Sequence, residues 1–397
     1  MPAPSTGRIR HDVVLVGGGH AHIQVLGRWA MAPPSAARLT LIVDRPIAVY
    51  SGMVPGFVAG QYSREDLEID VRPLARRAGA GCIVAAATGL DPGARTVLLD
   101  GRPPLAYDTV SFDVGSTIAG LETPGVREHA IATRPIGDFV RRVDSALAGA
   151  AAAPDGDPFR VVVVGAGAGG VEVAFALAAR LRRPRGSRAQ VLLLDGAPRV
   201  LPGHAPSAAR RVEAAAAARG IAIRCGARVD RVEAHAVHLA GGERVAASLV
   251  AWVTGAAALP IFAGSGIETD ERGFARIRPT LQCVGRDDVF AVGDCAAWPG
   301  TGLAKAGVYA VRQGPVLARN LLARARGEAR LPSYRPQRDF LSLLNLGDGR
   351  AIATKWGVSV EGAALFALKD WIDRRFVRRF RVPGGDDAPA PGFEAER

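Results

Sequence analysis

The residues with the clearest chemical purpose in this chain are glycines. Gly17-Gly18-Gly19 follows the apolar run Val13–Val16 without a break, and His20-Ala21-His22 leads into a helical pattern, Ile23–Met31. The arrangement recurs far downstream, where Val161–Val164 runs into Gly165-Ala166-Gly167-Ala168-Gly169-Gly170 and a second helical pattern, Val171–Leu181. Each copy is followed by an apolar run that ends in an acid: Leu39–Val43 before Asp44, and Val191–Leu194 before Asp195. In such a unit the first glycine permits a tight turn, the second lets the backbone approach a pyrophosphate, and the third lets helix pack close on strand. The helix start offers free N–H groups and partial positive charge to the phosphates, and the acid accepts hydrogen bonds from ribose hydroxyls. One glycine turn is weak evidence; two, each with strand, helix and acid in place, predict two dinucleotide sites. Gly17, Gly18, Gly19, His20, His22 and Asp44 belong to the first, and Gly165, Gly167, Gly170 and Asp195 to the second. His22 stands where the first unit should have its third glycine. It is read as capping or filling space, because nothing else in the motif demands an imidazole.

Those turns need strands and helices around them, and the rest of the chain supplies the pattern. Between the units, Ile83–Ala87, Thr96–Leu99 and Thr109–Phe112 read as short strands separated by Asp91-Pro92-Gly93 and Asp100-Gly101. A similar strand-rich stretch, Ile221–Leu239, follows the second unit. Val250–Thr254 reads as a buried strand. Ala148–Pro158 is a plausible linker by composition, and the residues from Pro383 onward read as a disordered tail. The fold class is therefore α/β, with two Rossmann-like dinucleotide-binding domains and a C-terminal α+β segment.

Composition narrows the function. The 397 residues predict two to three domains. The net charge of +12 comes with only three lysines, Lys305, Lys355 and Lys369. The arginines are scattered rather than striped with aromatics, so no nucleic-acid partner is expected. Cys82, Cys225, Cys283 and Cys295 are far apart and form no CxxC pair, which argues against a redox dithiol and fits a reducing compartment. Residues 245–267 carry no charge, yet Gly255 and Pro260 punctuate them, so no membrane span is expected. The first ten residues lack an apolar core and cleavage site of a secretory signal, pointing to the cytoplasm. His20 and His22 sit inside a phosphate loop, and His235 and His238 face opposite sides of a predicted strand, so no metal site is expected.

Val14–His22, Tyr50–Gly60 and Lys305–Gly314 together carry a resemblance. The chain resembles the two-dinucleotide-binding flavoproteins of the pyridine nucleotide–disulfide oxidoreductase superfamily, in the branch without redox cysteines that includes type II NADH dehydrogenases. It is most similar to the flavoprotein module found fused ahead of selenide, water dikinase. The resemblance spans roughly residues 12–381. It implies an FAD-binding domain from residues 11–125 and 251–325, an NAD(P)H-binding domain at 126–250, a C-terminal segment at 326–381 and a tail at 382–397.

The resemblance also implies roles. Gly17, Gly19 and the following helix start would hold the FAD pyrophosphate, and Asp44 the adenosine ribose. Tyr107-Asp108 with Asp113-Val114-Gly115-Ser116 resembles the second FAD-contacting segment. Phe290–Asp294 is similar to the segment in which Gly293 precedes an aspartate, here Asp294, on the flavin ribitol. The helix starting at Lys305 and Ala306 would point its positive end at the flavin, stabilising the reduced anionic form, with Lys305 adding to it. Glu172 matches a glutamate placed near flavin and nicotinamide, and Trp252–Gly255 a strand end beside the nicotinamide. Asp195 favours NADH, while Arg199 keeps NADPH open. The implied activity is FAD-dependent NAD(P)H oxidation, with a hydride passed to flavin N5 and electrons then passed to a small molecule or small carrier. Val308 and Arg312 stand where type II NADH dehydrogenases carry a quinone-side Gln-bearing motif, with Gln313 beside them, which puts quinone in doubt. Two other readings are a sulfide–quinone type oxidoreductase, which needs paired cysteines, and a redox sensor that binds FAD and NAD(H) without turnover. The basic, apolar segment Leu365–Arg381 is read as a helix with three available partners: the inner face of the membrane, a second subunit in a homodimer, or its own FAD domain.

Overall fold

Runs of β-branched residues with no polar break can be strands only where both faces are covered, and helices do the covering in a parallel sheet. Val13–Val16 and Val161–Val164 are such runs, and the strands that carry them, His11–Val16 and Phe159–Val164, are each the central strand of a five-stranded parallel sheet. The computed structural model describes residues 10–152, 158–185, 189–300, 303–337 and 339–382.

In the first sheet, His11–Val16 is flanked by Ala37–Val43 and Thr109–Phe112, with Gly81–Val84 and Val289–Ala291 outermost. In the second, Phe159–Val164 is flanked by Ala189–Leu194 and Leu249–Trp252, with Ile221–Arg224 and Ala130–Ala132 outermost. The duplication goes further than the glycine turns. Each unit carries a three-stranded antiparallel insertion between its third and fourth strands, at Ala87–Ala106 and at Val229–Ala246. The helices His20–Met31 and Ala168–Arg185 follow the two glycine turns. The uncharged stretch 245–267 is split between the buried strand Leu249–Trp252 and a later turn, and no helix among the described residues is long and apolar enough to cross a membrane.

Two connections join the sheets and pair with each other as antiparallel strands, Thr117–Ile118 with Ala256–Ala257. Trp252 Nε1 donates to Ala119 O at 2.9 Å, and Ala119 N donates to Gly255 O at 2.7 Å, so the Trp252–Gly255 strand end is built into the crossing. The C-terminal segment is a three-stranded antiparallel sheet, Ser342–Gly362, followed by the helix Ala363–Phe380. The helix Ile136–Ala152 covers the first residues of the expected linker; the remainder at 153–157 and the tail from Pro383 lie outside the described residues.

A long helix, Gly307–Ala325, packs along His20–Met31 although Pro315 interrupts its hydrogen-bond ladder. Proline lacks the N–H that would reach the carbonyl four residues back, which here belongs to Val311. Gln24 Nε2 donates to Val311 O at 2.7 Å and fills that gap. Gly314 makes the approach fit, since a Cβ there would lie 2.4 Å from Gln24 Nε2.

Candidate functional site

The second glycine turn opens onto a cavity of about 920 Å³. Gly165 adopts a φ of +108, and a Cβ on it would lie 2.3 Å from Val253 O. Gly170 lets the helix close onto the turn, since its Cβ would lie 1.7 Å from Gly165 O. Gly167 faces open space. That is the division of labour a nucleotide-binding turn requires: two glycines for packing and one clear for a ligand's backbone approach. Asp195 ends the adjacent strand; its carboxylate accepts from Ala166 N, within the turn, and from Ala197 N at 2.7 Å. From Gly165, Gly167, Gly169 and Asp195 the cavity runs past Gly255 to Glu172, Lys305, Ala306 and Val308.

The first turn shares the backbone geometry of the second but not its open glycine, since a Cβ on Gly19 would lie 2.3 Å from the Asp113 carboxyl. Gly17 has a φ of +95, and its N–H donates to Ile42 O at 2.8 Å, as Gly165 N does to Leu194 O at 2.7 Å. Gly18 is packed near Val43 and Val71. Asp44 is exposed at the end of the neighbouring strand, 3.9 Å from the Arg45 guanidinium. His22 is fully buried; its ring nitrogens meet Gly17 O at 2.7 Å and Ser111 Oγ at 2.9 Å. Burial lowers its pKa to about 4, so the ring is a neutral brace that ties turn to sheet. His20 at the helix start packs against the stacked pair Tyr50 and Phe376, with centroids 5.1 and 5.7 Å away, and its Nε2 is buried without a partner. The tight turn at Gly17 and that orphaned nitrogen fit a phosphate-bearing ligand.

Gly115, at φ +70, faces open space on the same side. Gly293, at φ +65, turns the chain into Asp294, whose carboxylate pairs with Arg134 Nη1 at 2.8 Å. Arg134 also donates to Ser116 Oγ. Sequence reasoning missed Arg134, which lies just after the outermost strand of the second sheet and reaches across to the first. Ala306 caps the helix Gly307–Ala325, so the helix begins one residue later than expected. The Lys305 ammonium donates to Ala296 O at 2.6 Å and lies 3.7 Å from the Phe274 ring centroid. Burial pulls its pKa down. Lys305 thus lines the cavity while its charge is held by the protein.

Glu172 lies on the cavity wall, where its Oε1 accepts from Asn345 N at 2.8 Å. Burial pushes its pKa up to about 7 against the downward pull of Lys369. Lys369 and Asp373, both buried on the C-terminal helix, form an ion pair at 2.6 Å, and Lys369 also donates to Gly52 O at 2.7 Å. The chain around Tyr50–Gly60 is therefore clamped between helix and cavity.

A family model described as pyridine nucleotide-disulphide oxidoreductase matches residues 11–316, a span that takes in both turns, Glu172, Asp294 and Lys305. The chain belongs to that family. Among similar sequences, an NADH dehydrogenase-like protein of Mycobacterium tuberculosis is 30% identical over 302 residues, 72% of each chain. A demethylphylloquinone reductase of Synechocystis is 24% identical over 389 residues, covering 94% of this chain and 93% of its own. Among solved structures, the sulfide:quinone oxidoreductase of Aquifex aeolicus superposes with a TM-score of 0.80 at 19% identity, covering 94% of this chain and 92% of that one. The Plasmodium falciparum NDH2 complex with NADH gives 0.79 at 13% identity, covering 93% and 98%. At such identities the structures speak for the fold. Family membership makes this member of the pyridine nucleotide-disulphide oxidoreductases an enzyme that uses FAD and NAD(P)H.

All four cysteines are free. Cys283 and Cys295 are buried, and burial pushes both thiols up, that of Cys295 to about 12, so neither is a ready thiolate. Arg199, the residue that kept NADPH open in the sequence, donates to Pro202 O and His204 O, both at 2.9 Å. The cation that lines the cavity beside Asp195 and Gly196 is Arg228, which no motif marked. Gln313 is a brace, its Oε1 accepting from Gly293 N at 2.7 Å in a buried setting. His235 lies in a turn, one residue before the strand that carries His238. Among the described residues no group of three or more His, Cys, Asp or Glu is placed to hold a metal ion. The C-terminal helix packs Lys369, Asp373, Val377 and Phe380 inward, and leaves Leu368, Trp371 and Ile372 exposed.

Proposed function

We propose that the chain is an FAD-dependent NAD(P)H dehydrogenase, with FAD held from the first turn and the nicotinamide nucleotide from the second. The observation that carries this reading is the cavity itself. One continuous space links Gly165–Gly169 and Asp195 at its nucleotide end to Ser51, Lys305, Ala306 and Val308 at the other. Residues 11–125 and 251–325 are assigned to FAD, 126–250 to NAD(P)H and 326–381 to the C-terminal segment. Bound FAD supplies hydride acceptance at N5 and onward electron release.

The protein's own groups position and polarise. Gly17, Gly19, His20 and the helix start receive the pyrophosphate, Asp44 the adenosine ribose and Asp294 the ribitol. Arg134 screens Asp294 and carries positive charge to the junction. Ala306 presents the start of Gly307–Ala325, whose free N–H groups favour negative charge in front of them. Lys305 sets the position of that start by anchoring to Ala296. Glu172, held near neutrality by burial, can keep or release a proton at Oε within the cavity at physiological pH.

Asp195 disfavours a 2′-phosphate and supports NADH as the preferred donor, while Arg228 leaves NADPH as a slower one. Electrons leave to a small molecule or small carrier. A quinone is the first acceptor to test, on the strength of the demethylphylloquinone reductase and the type II NADH:quinone oxidoreductases among the similar sequences. Selenium compounds follow, from the likeness to the module fused to selenide, water dikinase. The outward Leu368, Trp371 and Ile372 are the face available to a membrane surface or a second subunit.

Purified protein should be yellow, release FAD on denaturation, and bleach on anaerobic mixing with NADH in a stopped-flow instrument. Reoxidation with quinones, ferredoxin-like carriers, oxygen and selenium compounds then ranks the acceptors. A colourless protein that cannot be reconstituted with FAD refutes the reading. Bleaching that no acceptor reverses supports the sensor instead.

A further inference from the structure

Asp113 stands at the end of Thr109–Phe112, next to the first central strand, and is 4% exposed. Its Oδ2 accepts the N–H groups of Ala21 at 2.8 Å and His22 at 3.1 Å. These donors belong to the first turn of a helix, where N–H groups have no partner within the helix and attract anions. Three glycines close around the same residue. A Cβ on Gly19 would lie 2.3 Å from the Asp113 carboxyl atoms, one on Gly293 2.9 Å from Oδ1, and one on Gly17 2.4 Å from the Asp113 carbonyl oxygen. The crevice that the glycines keep open therefore already holds a carboxyl group, with the unpartnered Nε2 of His20 nearby. If FAD occupies the first turn, a pyrophosphate and a carboxylate share one poorly hydrated helix start. Two anions so placed repel, and the carboxyl group relieves the repulsion by taking a proton.

We propose that Asp113 is an FAD-binding residue that works in its acid form: FAD enters with uptake of one proton from solvent, and the neutral carboxyl shares the helix start with the phosphates. Burial by the protein alone raises this carboxyl to about 6, with the N–H groups of His22 and Ala21 and the His20 ring pulling it down and Asp294 pushing it up. Cys295 also faces Asp113 electrostatically and stays a neutral thiol. Phosphate charge adds only an upward push. The sign follows. Protonation favours the bound state, so FAD affinity is greatest at low pH. It falls by up to about tenfold per unit as pH rises above the FAD-free value, until the bound-state value is reached.

The inference rests on FAD occupying the first turn, and the test separates the two. Apoprotein is titrated with FAD by flavin fluorescence between about pH 6 and pH 8.5, as wild type, Asp113→Asn and His20→Asn. Calorimetry in two buffers of different ionisation enthalpy counts protons taken up. Expected are a wild-type Kd that weakens about tenfold or more across the range, proton uptake approaching one per FAD, and an Asp113→Asn Kd that is tight and flat. His20→Asn should keep the wild-type slope. A flat wild-type Kd with no proton uptake overturns the proposal, as does an Asp113→Asn protein that keeps the slope or a His20→Asn protein that loses it. Should Asp113→Asn fail to fold, the wild-type proton count and the His20→Asn slope decide. Absence of FAD binding at every pH overturns the FAD assignment itself.

Discussion

Replacing Glu172 with glutamine removes a charge from the cavity wall and keeps the acceptor that Asn345 N uses. The wild-type carboxyl is raised from 4.5 to about 7 by burial, with Lys369 opposing. That rise corresponds to roughly 3 kcal/mol between the protonated and ionised forms. The unfolded chain ionises at the ordinary value while the folded protein resists. The favourable state of Glu172 is therefore fully present below about pH 4.5 and is lost as pH rises through about 7. Glutamine cannot ionise and loses nothing over that window. Urea unfolding at saturating FAD should find the two proteins equally stable near pH 5. Near pH 8.5 the variant should be more stable by roughly 2–3 kcal/mol. The same substitution should flatten the pH dependence of anaerobic reduction by NADH in that window, if Glu172 holds the proton proposed for it. A stability difference that does not change with pH, or a wild type that gains on the variant as pH rises, refutes the reasoning. Glu172 would then be ionised across the range and held by Lys369 as an ordinary ion pair.

Asp294→Ala takes the carboxylate from Arg134 and, on the proposed assignment, leaves a flavin hydroxyl without its acceptor, so it should weaken FAD about 5- to 150-fold. Asp195→Ala should weaken NADH and spare FAD; equilibrium titrations that show the reverse would mean the two sites are exchanged. Arg228→Ala should widen the preference for NADH over NADPH while Arg199→Ala leaves it unchanged, read from reduction rates at equal subsaturating concentrations. Gln24→Met strips Val311 O of its donor at a cost of roughly 1–3 kcal/mol. In a Pro315→Ala background a backbone N–H replaces that donor, so the loss in unfolding experiments should shrink; strict additivity would show that Gln24 does not serve the proline gap. Cys283→Ser and Cys295→Ser, made separately, should leave turnover unchanged, and a loss of turnover in either would reopen a thiol mechanism.

Much of this molecule is legible in the chain because a strand, a tight turn and a helix start are local structures. Val13–His22 and Val161–Gly170 declare themselves within ten residues, and the glycine φ values that the turns demand are the ones found at Gly17 and Gly165. The insertions were legible only in part: Thr96–Leu99 is a strand as expected, but the expected strand Ile83–Ala87 is the end of Gly81–Val84 and the start of Ala87–Asp91, and Arg102–Ala106 and Arg244–Ala246 gave no signal. His22 illustrates the boundary. Its misfit with the glycine pattern was visible, but of the partners that explain it only Gly17 O lies within the motif, while Ser111 Oγ comes from 89 positions further along the chain.

What the sequence alone determined is the pair of strand–turn–helix units and the acids that follow their second strands, since each depends on neighbours in the chain. The meetings between units were decided by the tertiary structure. Arg134 finds Asp294, Gln24 finds Val311, Glu172 finds Asn345, and Lys369 reaches Gly52. In the same way, Lys305 meets Ala296 O, Gln313 meets Gly293 N and Arg199 meets Pro202 O, contacts that no motif spacing shows. A side chain's pKa and its availability to a ligand depend on who faces it after packing. Burial and opposing charge come from residues hundreds of positions away, and no spacing within a motif encodes them.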